Sequence, residues 1–213
     1  MTPKSKAKKT DLRIIAGNNA AKAIQGFEKS GRVVGLTNGE FSLLSLITEL
    51  LKITGKADVT ISTWSAGMYD ATSLNELLQC GKIQSVKLIL DRSFKTRQAG
   101  YAVYIDDVFK PENIRTTNTH AKFVLLKNDE YSICIRSSMN LNENKRCENF
   151  DIDDSLEIYQ FFKDFADKLF DSQPKGIIEE RKVVDPVFDM LFGQVTYKAT
   201  NEGFSKSMGS WNE

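Results

Sequence analysis

Histidine is nearly missing from this chain: position 120 holds the one copy among 213 residues. Without a Cys/His cluster beside it, a zinc site built within one chain has no ligand set. Cysteine is scarce as well, and Cys80, Cys134 and Cys147 form no CxxC pair. Their odd number speaks against a disulfide framework and for a reducing compartment. No DxDxDG-type loop marks a carboxylate-bound metal. Long apolar runs are also lacking. Nothing approaches the roughly 20 residues that span a bilayer. The basic start is not followed by the apolar stretch of about 7–15 residues that a signal peptide needs. A soluble, cytoplasmic protein without cofactor, metal or stable membrane association is expected. An excess of one charge is absent too, since Lys+Arg 29 against Asp+Glu 28 leaves a formal charge of +1. The chain as a whole is therefore no electrostatic polyanion binder, and any nucleic-acid affinity has to come from local patches.

What is present suffices for one sizeable core, with 41% hydrophobic residues. Residues 1–11 read as a basic flexible tail, with Lys4, Lys6, Lys8 and Lys9 continuing to Arg13 as one solvated patch. Residues 12–172 form the expected domain. Residues 173–213 form a C-terminal extension with Pro174, Gly176 and Pro186 around a short apolar patch, Val187 to Phe192, that serves packing or a partner. No internal repeat is found.

Periodicity predicts the elements. Leu12 to Ser30 reads as a helix whose face carries Ile15, Ala23, Ile24 and Phe27, ended by Gly31. Arg32 to Thr37 reads as a strand closed by Asn38-Gly39, and Leu43, Leu44, Ile47, Leu50 and Leu51 have helical spacing up to Gly55. The unit recurs: Asp58 to Trp64 is a strand, Ser73 to Cys80 a helix, and Val86 to Leu90 a third strand. Strands alternating with helices predict an α/β fold, its central sheet mostly parallel or mixed and flanked by helices. Lys122 to Leu126 and Tyr131 to Ile135 then form an antiparallel hairpin around Lys127-Asn128-Asp129-Glu130. From about Asp154, a helix carries Leu156, Tyr159, Phe162, Phe165, Ala166 and Leu169 as a core-facing stripe.

The single histidine stands at the mouth of that hairpin as His120-Ala121-Lys122. Alternation along a strand puts His120 and Lys122 on one face. The second strand ends in Ser137-Ser138-Met139-Asn140-Leu141-Asn142, which returns Ser138 and Asn140 beside them. This set suits a phosphodiester: Lys122 offers fixed positive charge, Ser138 and Asn140 neutral donors, and His120 a nucleophilic or acid–base nitrogen. Ser137, Ser138 and Asn142, with Arg92 and Lys95, are the expected substrate contacts. Arg97 extends that basic turn.

His120-x-Lys122 followed by Ser138-x-Asn140 resembles the phospholipase D superfamily, in its single-HKD-motif, nuclease-like form. Cys147-Glu148-Asn149 resembles that family's acidic residue followed by Asn, which implies that Glu148 orients the catalytic imidazole. The resemblance runs from about Val33 to Phe170 and implies a phospholipase D-like fold with an antiparallel motif hairpin. Two positions depart from the pattern: Lys127 stands where the family has Asp, and Ser137 where it has Gly. Gly209-Ser210-Trp211-Asn212 repeats the second half of the motif without any HxK before it and reads as coincidence. The family's chemistry implies a metal-independent reaction through a phosphohistidine, one histidine attacking and a second protonating the leaving oxygen. A chain with only His120 then implies a homodimer with the site at its two-fold interface, His120, Lys122, Asn140 and Glu148 being catalytic. Members of this size are typically nucleases for DNA or RNA. A catalytically degenerate nucleic-acid-binding or assembly module is the alternative, and a lipid phosphodiesterase, for which no amphipathic basic helix is present, ranks third.

Overall fold

The computed structural model describes residues 10–17, 19–142 and 145–178. The elements in order are β1 Thr10–Ile15, α1 Ala20–Ile24, β2 Arg32–Thr37, α2 Leu43–Thr54, β3 Ala57–Thr63 and α3 Met68–Gln79. They continue with β4 Ile83–Asp91, α4 Phe94–Arg97, α5 Ala99–Phe109, a 3₁₀ turn Pro111–Asn113 and β5 Ile114–Thr117. The chain closes with β6 Phe123–Lys127, β7 Ser132–Ser137, β8 Glu148–Asp154 and α6 Leu156–Ser172.

One helix formed where the periodicity placed it for visible reasons. At α2, Ser42 accepts the Ser45 N–H at 3.2 Å, and Gly55, at φ +74°, donates its N–H to Leu51 O at 3.0 Å. Between the caps, Leu43, Leu44, Ile47, Leu50 and Leu51 are buried. Each such side chain taken from water stabilises the fold by about 1.5–3 kcal/mol.

The helix expected over Leu12 to Ser30 is instead a strand and a five-residue helix. Leu12 and Ile14 alternate with Asp11 and Arg13 and align with Val34 and Leu36 of β2, so parallel pairing claimed them. Gly17, at φ +83°, turns the chain, and Asn19 caps α1 by accepting the Lys22 N–H at 3.1 Å. Ile15, Ala23, Ile24 and Phe27 are all buried, from three segments rather than one helix face. Arg13 likewise leaves the expected solvated patch, because its guanidinium donates to the carbonyls of Lys22, Ala23 and Gln25 at 2.9, 3.1 and 2.6 Å. It thus satisfies the end of α1. Lys4 to Lys9, the Val187 to Phe192 patch and Gly209 to Asn212 lie outside the described residues.

Among the described residues, eight strands join one mixed sheet in the order β1-β2-β8-β7-β6-β3-β4-β5. Pairing is parallel at β1/β2, β3/β4 and β4/β5, and antiparallel across the centre. Side chains alternate between two cores. Val124, Leu126, Ile133 and Ile135 join the larger core with α1, α2, α3 and α5, whereas Phe123, Leu125 and Cys134 join α6 on the other face. Along α6, Tyr159, Ala166 and Leu169 are buried, and Phe162 packs on Phe123 with ring centroids 4.9 Å apart. Leu156, expected on the same stripe, is 65% exposed: it is the first residue of the helix, beyond the sheet that α6 covers.

The expected hairpin is present, with Phe123 opposite Arg136 and Lys127 opposite Ser132. Asn128 closes its turn by accepting the N–H groups of Glu130 and Tyr131 at 3.0 and 2.9 Å. At Gly35, opposite Phe150, an added Cβ would stand 2.3 Å from the phenyl ring, so only glycine lets that ring lie across β2. Among the described residues, no helix is long and apolar enough to cross a membrane.

Candidate active site

The sheet order dictates where polar groups collect. β5 is an edge strand and β6 lies inside, beside β3. Residues 118–122 must therefore cross the ends of β4 and β3 as a strap. At this same edge end the C-termini of β2, β3, β4, β5 and β7 and the N-termini of β6 and β8, so loops from many strands converge.

The strap is pinned on both sides of His120. Asp91, the last residue of β4 and 6% exposed, accepts the Thr119 N–H through Oδ2 at 3.2 Å and the Ser93 N–H through Oδ1 at 2.9 Å. Beyond His120, Ser62 on β3 donates its hydroxyl to Ala121 O at 2.8 Å, and the Ala121 N–H reaches Thr119 Oγ1 at 3.1 Å. Backbone is thus held while the imidazole stays exposed. His120 and Lys122 were expected on a strand, but β6 begins only at Phe123. The two side chains meet nonetheless, with Lys122 Nζ 3.2 Å from His120 Nδ1. An ammonium only donates, so Nδ1 is the accepting nitrogen in this contact.

The turn after β7 closes against β8. The Ser138 N–H donates to Asn149 Oδ1 at 2.9 Å, its hydroxyl donates to the Glu148 carboxylate, and the same oxygen accepts the Asn149 N–H at 2.9 Å. Ser137 donates its hydroxyl to Asn149 O at 2.6 Å. Glu148 is buried, and its carboxylate takes up the Ser138 hydroxyl. Burial pushes the Lys122 ammonium below the usual lysine range, and the nearby Glu148 charge partly restores it. Asn140 Oδ1 lies 3.5 Å from Thr63 Oγ1, and Leu141 ties the turn to β3 by donating its N–H to that hydroxyl at 3.1 Å. Asn142 stands apart, packed beside Gly67 with its buried Oδ1 unpartnered among the described residues. His120, Lys122, Ser138, Asn140 and Glu148 therefore share one end of the sheet.

A further side chain belongs to this end and was not anticipated. Trp64, immediately after β3, has its ring centroid 5.6 Å from that of His120, tilted by 51°. The Arg97 guanidinium lies 3.6 Å from the indole centroid, donates to Trp64 O at 2.7 Å and lies 3.9 Å from the Asp91 carboxylate. Arg92, on the turn after β4, and Lys95, on α4, flank it in sequence, both half-exposed. The available signal was a tryptophan at the very end of the predicted strand, where functional loops begin. Cys134, the thiol in the sheet centre, is pushed up to about 12 by burial and is no candidate nucleophile. Among the described residues no three His, Cys, Asp or Glu side chains gather into a metal-binding group.

No protein-family model matches the chain, and no curated protein matches it in sequence. Solved structures do. Nuc from Salmonella typhimurium, described as a phospholipase D family member, aligns with a TM-score of 0.51 at 19% identity over 68% of this chain and 97% of its own. NucT from Helicobacter pylori aligns with a TM-score of 0.49 at 16% identity over 68% and 99%. Phosphatidylserine synthase from Haemophilus influenzae aligns at 0.47 and 14% over 76% of this chain and 44% of its own. At these identities the likeness is one of architecture. Strand order, strap and hairpin together make this chain a phospholipase D-like fold.

Proposed function

We propose that the chain is a metal-independent phosphodiesterase for nucleic acid, with His120 as the reacting group and a site completed by a second copy. One observation carries this reading: the chain's sole imidazole is held on a pinned strap, exposed, with an ammonium 3.2 Å from Nδ1 and the Ser138–Glu148 pair at the same sheet end. In the reaction, Nε2 of one His120 attacks phosphorus, forming a P–N bond as the P–O bond to the leaving group breaks. Nε2–H of the other copy's His120 gives its proton to the departing oxygen. Water then attacks phosphorus, the P–N bond breaks, and the second imidazole takes the water's proton. Lys122 and Asn140 from both copies surround the non-bridging oxygens. The acid copy must be the imidazolium, protonated at both Nδ1 and Nε2, so that giving up the Nε2 proton leaves a neutral ring able to take the water's proton later. The attacking copy needs Nε2 free, which follows when an entering phosphate draws Lys122 away and Nδ1 takes the proton.

The degenerate-module alternative rests on Lys127 and Ser137. Lys127 lies at the far end of β6 from Lys122, bonded to Ser132 Oγ at 2.9 Å, so this departure stands away from the reacting groups. Ser137 is accommodated by its bonds to β8. The basic turn of Arg92, Lys95 and Arg97 beside the site, together with the resemblance to single-motif nucleases, favours nucleic acid over lipid. The test is cleavage of labelled single- and double-stranded DNA and RNA in excess EDTA by wild type and His120→Ala, with each mass recorded in solution. Cleavage by a wild-type dimer that His120→Ala loses is expected. A folded monomer, or a folded protein that cleaves no nucleic acid, overturns the reading.

A further inference from the structure

Trp64 is held more tightly than a half-exposed side chain requires. Thr63 before it is fully buried and donates its hydroxyl to Ser65 O at 2.7 Å, and Ser65 and Ala66 after it are 5% and 1% exposed. Ala66 bridges to Leu141, so the backbone on both sides of the indole is locked to the turn that carries Asn140. Arg97 covers the ring and is itself fixed, through Nε to Ser93 Oγ at 2.9 Å and through Nη2 to Trp64 O at 2.7 Å. Its Nη1 has no partner among the described residues, so a donor remains for an incoming acceptor. The indole thus has a cation over one face and the reactive imidazole beside it, tilted by 51° rather than stacked on it.

We propose that Trp64, backed by Arg97, is the stacking platform for a base flanking the scissile phosphate, so that the site takes an unpaired strand. The inference rests on the nucleic-acid reading above. When phosphorus sits at His120, the attached sugar and base lie within one nucleotide of it, and the indole is the flat apolar surface at that range. Every base has a π-face that an aromatic side chain can take, whatever the sequence. In a duplex both faces of each base are occupied by neighbours, and extruding one costs unstacking and unpairing energy. Arg97 Nη1 then meets the phosphate of the adjoining nucleotide.

The chain has two tryptophans, Trp64 and Trp211. In full-length Trp211→Phe protein carrying His120→Asn to stop turnover, Trp64 is the sole indole, and a single-stranded oligonucleotide should quench its fluorescence. The same oligonucleotide made abasic should not. In His120-intact protein, Trp64→Ala should raise KM for the single strand about 10-fold with kcat within about 2-fold, and Trp64→Phe should recover most of the loss. Both variants should match wild type on the abasic strand. A fall in kcat at unchanged KM, or equal losses on the two strands, overturns the proposal and makes Trp64 a support for His120. Quenching by phosphatidylglycerol vesicles in place of the oligonucleotide overturns it as well. Quenching without any cleavage leaves the platform standing and removes the enzyme reading, whereas cleavage without quenching does the reverse.

Discussion

Two buried aspartates hold opposite ends of the same sheet by the same device. Asp154, at the end of β8, accepts the Ser30 N–H at 2.7 Å and the Ser132 N–H at 2.9 Å, tying the entry of β2 to the start of β7. Asp91, at the end of β4, also accepts two backbone N–H groups, those of Ser93 and Thr119. What differs is the cargo. Asp154 fastens segments that the ladder already pairs, since β7 and β8 are in register at Ile133 and Asp154. Asp91 fastens a strap that lies outside the strands and on which His120 stands. A buried carboxylate that satisfies backbone donors is thus a stability feature at one end and a positioning feature at the other.

Removing the cargo itself gives the largest expected effect. His120→Ala should lower kcat on an oligonucleotide in EDTA by about 10³-fold or more while leaving the urea midpoint near wild type, the scale seen when a reacting group is lost. Asp91→Ala comes next. It should lower kcat by about 10²-fold, as sub-ångström to 1 Å misplacements do, and cost about 1–3 kcal/mol in urea unfolding from two unmet N–H groups. Asp154→Ala should cost the same about 1–3 kcal/mol with kcat unchanged when assayed well below its unfolding transition. Equal losses of kcat in Asp91→Ala and Asp154→Ala would break the comparison. The smallest effect is expected at the surface pair of α2, where Lys52 Nζ lies 2.6 Å from Glu49 Oε1 with the lysine side chain 65% exposed. Lys52→Ala should shift stability by no more than about 0.5 kcal/mol, which sets the background for the other variants.

Legibility in the sequence followed local pattern. β2, α2, β3 and the hairpin carry their periodicity within a few residues, and each formed where that periodicity lies. β8 was not anticipated, because Glu148-Asn149-Phe150-Asp151-Ile152-Asp153-Asp154 is rich in residues depleted from strands. It forms a strand between β2 and β7 because Arg32 and Arg136 reach Asp151 at 2.7 and 2.6 Å, neutralising the charge a lone strand would leave repelling itself. α5 and β5 went unread for a related reason: Ile114 to Thr117 is a four-residue strand whose burial comes wholly from its neighbours.

The candidate site divides the same way. The amino-acid order by itself put His120 two residues from Lys122 and Ser138 two from Asn140, and the hairpin pattern led to the expectation that both pairs come to one end of the sheet. The tertiary structure alone decided that the histidine rides a strap rather than a strand, because the β5–β6 crossing depends on the order of all eight strands. It alone joined Arg97 to Trp64, 33 residues apart, and Thr119 to Asp91, 28 apart. Such contacts arise only when separate strand ends are packed side by side, and no window of sequence shorter than the whole sheet contains that information.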